Sequence, residues 1–117
     1  MAYHGYLRRL KQYLTNIPYP PRMLEIGIDK GTSFLTLVSH LRTRDEFVAM
    51  GIDIKLQDHV KTILDHFDFK ENHHVVMYEQ NSLSLLPDIV KNNLKFDLIL
   101  IDGDHTYHTV SQELNYL

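Results

Sequence analysis

The sequence predicts an α/β domain built on a doubly wound parallel sheet with helices on both faces. Three observations carry this prediction. Strand-like and helix-like segments alternate four times along the 117 residues. The strand-like runs "RMLEIG", "EFVAMGID", "HHVVMYEQ" and "FDLILID" are mostly continuous apolar stretches, the pattern of strands buried on both faces. Each run is followed by apolar residues at helical spacing, and right-handed crossovers place such helices over a parallel sheet.

The elements follow in order. Tyr3, Tyr6, Leu7, Leu10, Tyr13 and Leu14 recur at helical spacing, and the three prolines of "NIPYPP" end that helix. "RMLEIG" reads as the first strand. "TSFLTLVSHLRT" follows as a helix with Phe34, Leu35, Leu37, Val38 and Leu41 turned inward. "EFVAMGID" is the second strand, and "HVKTILDHF" a helix with Val60, Ile63, Leu64 and Phe67 on one face. "HHVVMYEQ" is the third strand, whose alternation sends His73 and His74 to opposite faces and makes them structural. In "NSLSLLPDIVKNNL", Pro87 suits the first turn of a helix, where a missing N–H has no partner to lose. "FDLILID" is the fourth strand. Tyr107, Val110, Leu114 and Leu117 predict a last helix, with Asp104 as its cap.

The chain is long enough for one core and one domain, with an N-terminal helix over 1–17 and a β/α core over 22–117. With 44% hydrophobic and 23% charged residues, the composition is that of an ordinary folded chain. No cysteine is present, which excludes disulfides, thiolate metal sites and cysteine nucleophiles. A net charge of -3 gives no reason to expect nucleic acid as a partner. Apolar runs are too short to span a membrane, so none is expected as a partner. Residues 1–24 carry Arg8, Arg9, Lys11 and Arg22 with no acid. The segment lacks serine and a small-residue cleavage pattern, so it reads as a basic helix of the fold, and the expected location is cytoplasmic.

In a doubly wound sheet, ligands bind beyond the strand carboxyl ends, near the point where strand order reverses. Polar residues gather there: Glu25 and Gly27, Asp53, then Gln80, Asn81 and Ser82, then Asp102 to His105. Asp53 closes the second strand, where a carboxylate accepts from the vicinal hydroxyls of a ribose. The loop "EIGIDKG" lacks the dinucleotide fingerprint. Asp29 stands at its second glycine position and Thr32 at its third, and a carboxylate there repels a pyrophosphate. No Gly-Lys-Ser/Thr follows, so a P-loop is excluded as well. A ligand with a ribose but no phosphate chain fits, and S-adenosylmethionine meets both conditions. Its sulfonium and ammonium charges suit a pocket lined by carboxylates such as Glu25 and Asp102.

These residues resemble a known family. "LEIGIDKGTS" is similar to the first motif of class I S-adenosylmethionine-dependent methyltransferases. "FDLILIDGDHTYHTVSQEL" resembles the fourth-strand motif of a subgroup with an "IDGDHxY" signature, distantly related to catechol O-methyltransferase and cephalosporin-modifying enzymes. The resemblance runs from about Arg22 onward. It implies that Glu25 and the Gly27 to Gly31 backbone, opening the helix at Thr32 and Ser33, hold the methionine end. It implies Asp53 on the ribose, and Asn81 and Ser82 beside the adenine. The family more often has Asp at the position of Asn81, accepting from the adenine amino group, and Asn accepts there through its carbonyl. Asp102 faces the methionine end or, in metal-dependent members, ligates a divalent cation.

The "DGDHTYH" cluster has two readings. Asp102, Asp104, His105 and His108 suit magnesium or another hard ion, although the ligand set is incomplete. Alternatively, Asp104 caps a helix and the histidines lie on its surface. His105 is the candidate general base, its ordinary pKa lying near neutrality. The family sheet has seven strands and this sequence supplies four, so the chain is expected to be the cofactor-binding half of a longer product. "FDLILID" is then an edge strand, through which a homo-oligomer can form. The expected function is methyl transfer to an acceptor of the small-molecule class. The alternative is a non-catalytic nucleoside-binding module or assembly subunit. A nicotinamide-dependent oxidoreductase is disfavoured by Asp29.

Overall fold

The computed structural model describes residues 2–91 and 95–101. Helix α1 (Ala2–Asn16) stops short of Pro18, Pro20 and Pro21, which cannot supply donors for a further turn. Arg44 closes that end. Its guanidinium donates to the carbonyls of Leu14 and Ile17 at 2.8 Å, Tyr19 at 3.1 Å and Thr15 at 3.3 Å. A cation belongs there, because the last carbonyls of a helix carry its negative pole.

The remaining elements alternate as the sequence predicts: β1 (Arg22–Ile26), α2 (Thr32–Leu41), β2 (Phe47–Asp53), α3 (Asp58–Asp65), β3 (His73–Glu79), α4 (Ser82–Lys91) and β4 (Leu98–Ile101). The strands are all parallel in the order β3-β2-β1-β4. Chain order reverses between β1 and its two neighbours, which sets the switch point at the carboxyl end of β1. Among the described strands, β4 is an edge, with Ile99 37% exposed.

Two apolar clusters cover the two faces. On one, Met23, Ala49 and Leu100 of the sheet meet Leu7 and Leu14 of α1, Phe34, Leu37, Val38 and Leu41 of α2, and Val60 and Leu64 of α3. On the other, Leu24, Ile26, Met50 and Ile52 meet Ile89 and Leu85 of α4. Phe34, Phe47, Leu37 and Ile52 are completely buried, and burial of each such side chain stabilises the fold by roughly 1.5–3 kcal/mol. The double winding is therefore observed directly: α1, α2 and α3 lie on one side and α4 on the other.

Some local expectations are corrected. Pro87 is the sixth residue of α4 and not in its first turn, because Asn81 starts the helix upstream. The Asn81 carbonyl accepts from Ser84 N at 2.9 Å and its side-chain Oδ1 from Leu83 N at 2.9 Å. Ile63 and Tyr13 face outward, not into the core. Tyr13 lies on α1 with its hydroxyl donating to the Asp97 carbonyl, next to Tyr19, whose hydroxyl donates to Asp97 Oδ1 at 2.5 Å. The hydrogen bond to Asp97, helped by burial and by the carboxylate's charge, raises the Tyr19 pKa above its ordinary value. Phe67 lies past α3 and packs edge-on against Phe69, with the Arg42 guanidinium over its ring.

His73 and His74 diverge as strand alternation requires. His73 is buried, its Nδ1 accepting from Lys70 N at 3.1 Å and its Nε2 donating to the Arg44 carbonyl at 2.6 Å. Both ring nitrogens are occupied, so the ring is a structural tie between two loops at the amino end of the sheet. Among the described residues, no helix is long and apolar enough to cross a membrane.

Candidate functional site

The carboxyl end of β1 opens into a loop of alternating backbone hand. Gly27, Asp29 and Gly31 have φ of 84°, 51° and 83°. At Gly31 only glycine fits. A Cβ there would stand 2.8 Å from Val60 Cγ2 and 3.2 Å from Leu35 Cδ1, on top of the left-handed backbone. Asp29 is the one described non-glycine residue in that region, which aspartate tolerates better than most side chains. The position that a dinucleotide loop gives to glycine thus keeps the left-handed backbone while presenting a carboxylate.

Asp53 holds this loop. Its Oδ2 accepts from Ile28 N and from Asp29 N, both at 2.8 Å, which fills both lone pairs of that oxygen. Its Oδ1 meets Lys55 N at 3.4 Å, a long contact that leaves this oxygen weakly engaged. Gly27 N continues the parallel ladder to the Ile52 carbonyl at 2.8 Å, so loop and strand end are joined at three backbone amides. Ile28 folds inward between them, over Gly51, where a Cβ would be 2.9 Å from both Ile28 Cδ1 and Met77 Sδ.

Helix α3 braces the loop from the side. His59 Nε2 donates to the Lys30 carbonyl at 2.7 Å, and Gln57 Nε2 reaches Asp29 Oδ1 at 3.4 Å. The β2–α3 loop is itself held by Glu79, whose Oε1 accepts from Leu56 N at 2.9 Å. Gln80 N donates to the Asp53 carbonyl at 2.8 Å, carrying the chain from β3 to Asn81 alongside the end of β2.

The predicted site residues divide into two groups. Asp53, Gly27, Gly31 and Thr32 meet at the carboxyl ends of β1 and β2, with Asn81 and Ser82 one strand further along. Glu25 is placed differently from a solvent-facing ligand group. It is 0% exposed, on the same sheet face as Met23, and its Oε2 accepts from the Ser33 hydroxyl at 2.8 Å. Its position ties β1 to the first turn of α2. Ser82 is buried, and Asn81 is exposed with its side-chain oxygen engaged in the cap of α4. Asp102, Asp104, His105 and His108 lie outside the described residues. Among the described residues, no group of three or more histidines and carboxylates is arranged to hold a metal ion.

Sequence reasoning missed two residues. Ile54 follows Asp53 and is 73% exposed, a large apolar side chain standing at the rim of a polar site. Glu79 is the register partner of Asp53, and the signal for it was its place as the last residue of a strand. A family model described as a methyltransferase domain matches residues 24–117. No curated protein matches the chain.

Proposed function

The chain belongs to the methyltransferase-domain family, and from that premise we propose that it binds S-adenosylmethionine across the carboxyl ends of β1, β2 and β3 for transfer of its methyl group to a small-molecule acceptor. The observation that carries the reading is the loop from Gly27 to Gly31, held to Asp53 by two 2.8 Å hydrogen bonds. It is shaped by left-handed residues yet has a carboxylate, Asp29, where a pyrophosphate would need open backbone. The donor set fits the nucleoside. Asp53 Oδ1 accepts from a ribose hydroxyl, Ile54 gives an apolar surface to the face of a purine, and Asn81 stands where the base edge ends.

When bound, the cofactor supplies a methyl group on a positively charged sulfur. The chain's own contribution is placement. The Gly27 to Gly31 backbone at the methionine end and Asp53 at the ribose fix the cofactor, and with it the line from sulfur through methyl carbon to acceptor. Proximity and orientation of this kind account for a large part of the acceleration of two-substrate reactions. Glu25 and Ser33, buried beneath the loop, set where α2 begins and so where the loop ends.

Titration calorimetry with S-adenosylmethionine, S-adenosylhomocysteine and NAD tests the reading. The two sulfur nucleosides bind at micromolar concentration and NAD does not. Absence of binding by both sulfur nucleosides overturns it, and tighter binding of NAD replaces it with the oxidoreductase reading. Release of S-adenosylhomocysteine in the presence of small-molecule acceptors then separates an enzyme from a nucleoside-binding module.

A further inference from the structure

The geometry points to Glu79 as a positioning residue for the nucleoside site, acting through the β2–α3 loop and never touching the ligand. This rests on the reading of the β1 and β2 ends as that site. Asp53 and Glu79 are the last residues of their strands and register partners, so their side chains leave the same face of the sheet side by side. Each holds the loop of the preceding strand. Asp53 takes Ile28 N and Asp29 N from the loop after β1, and Glu79 takes Leu56 N from the loop after β2.

The two loops are then linked. Leu56, fixed by Glu79, is buried in the core with Ile28 and Val60. The next residues reach across: Gln57 to Asp29 Oδ1, and His59 to the Lys30 carbonyl. Between Asp53 and α3, the described backbone N–H anchors are the Leu56 bond to Glu79 and the long Lys55 contact with Asp53 Oδ1. Glu79 therefore sets where exposed Ile54 stands and keeps Lys55 N from closing on Asp53 Oδ1, the oxygen proposed to receive the ribose. Removing its carboxylate releases the β2–α3 loop first and the glycine loop second.

The test uses the 117-residue chain with Glu79→Ala and Glu79→Gln. The glutamine keeps a carbonyl oxygen for Leu56 N. Without ligand, Glu79→Ala speeds amide hydrogen exchange at Leu56 and, through the link, at Ile28 and Asp29, while Glu79→Gln restores protection. With S-adenosylhomocysteine, calorimetry gives a Kd raised about tenfold for the alanine variant, the cost of ordering the released loop on binding, and close to wild type for the glutamine, which keeps the loop held. Tyr19→Phe, at the opposite end of the sheet, removes a hydrogen bond to Asp97 and leaves Kd unchanged. Unchanged exchange at Ile28 and Asp29 in Glu79→Ala overturns the proposal. So does a glutamine variant as weak as alanine, or an equal loss of affinity in Tyr19→Phe. If the wild-type chain binds neither sulfur nucleoside, the proposed function fails, and the exchange measurement alone decides whether Glu79 positions the loop.

Discussion

Replacing Asp53 with alanine removes the acceptor that holds the glycine loop to the end of β2. Two backbone amides, Ile28 N and Asp29 N, lose a carboxylate oxygen at 2.8 Å. A hydrogen bond to a charged group contributes roughly 1.5–3 kcal/mol net. One of these bonds is partly buried and the other exposed, so water replaces part of the loss, and a combined cost of about 2–3 kcal/mol follows. For a domain of this size, 1 kcal/mol moves Tm by roughly 3–6 °C, which puts Asp53→Ala about 10 °C below the wild type.

Asp53→Asn separates the loop from the ligand. One amide oxygen still accepts from both backbone N–H groups, so the cost falls to about 1 kcal/mol, the loss of charge assistance alone. The other position now carries an amide NH2 in place of Oδ1, and the proposed ribose acceptor is gone. Thermal denaturation followed by circular dichroism, paired with calorimetry on S-adenosylhomocysteine, reads both effects. The alanine variant loses stability and binding together, whereas the asparagine variant keeps most of its stability and loses binding by about tenfold. A Tm for Asp53→Ala within 2 °C of wild type, taken as roughly the shift of a negligible interaction, would refute the loop-holding argument whatever happened to binding.

Asn81→Asp keeps the cap on α4, places a charge at the favourable helix pole and adds an acceptor oxygen, so it raises stability by about 0.5 kcal/mol and tightens S-adenosylhomocysteine binding in calorimetry. Gly31→Ala forces an L side chain into a left-handed backbone and against Val60 and Leu35, costing about 2–4 kcal/mol by denaturant titration. Arg44→Lys cannot span four carbonyls with one ammonium, and the same titration shows a loss of about 1–3 kcal/mol. His40 has its pKa lowered by burial, with the Lys11 and Arg44 charges adding to it against a smaller opposing hydrogen-bond effect from Lys11. Its neutral form is therefore favoured in the fold, and its contribution is complete above its ordinary value near 6.5 and lost as pH falls through the lowered folded value. The Tm advantage of wild type over His40→Gln shrinks from pH 7.5 to pH 5, and an advantage independent of pH would refute the assignment.

Local pattern made the fold legible. Continuous apolar strands, proline stops and apolar helical spacing are all short-range signals, and they place every described element. Arg44 was not legible, because the carbonyls it caps lie 25 to 30 positions away in the chain and an isolated arginine gives no sign of that reach. Glu25 shows a different gap. Its neighbourhood to a glycine loop suggests a ligand group, yet strand alternation already puts it with Met23 on the face that α2 covers. Asn81 carries two legible signals at once, a strand-end polar group and a residue type that caps helices, and the cap is the one its oxygen makes.

The same accounting narrows the contacts that the proposed nucleoside site can offer. Polar atoms at the strand ends first serve the loops they terminate: Asp53 Oδ2 the glycine loop, Glu79 Oε1 the next loop, Asn81 Oδ1 the helix after β3. An sp² oxygen accepts twice, so the groups left to an incoming molecule are few and directional. Asp53 Oδ1 remains as an acceptor, and Asn81 offers its amide nitrogen as a donor and the second lone pair of its Oδ1 as an acceptor, with Ile54 exposed near the end of β2. A ligand with a hydroxyl near Asp53 and a flat apolar face over Ile54 is served by that set, and a phosphate chain, set against Asp29, is not. In the proposed site the base edge meets both a donor and an acceptor at Asn81, where an aspartate would offer acceptors only. That difference concerns which purine edge the proposed site would prefer, and it leaves the proposed ribose contact, which depends on Asp53, untouched.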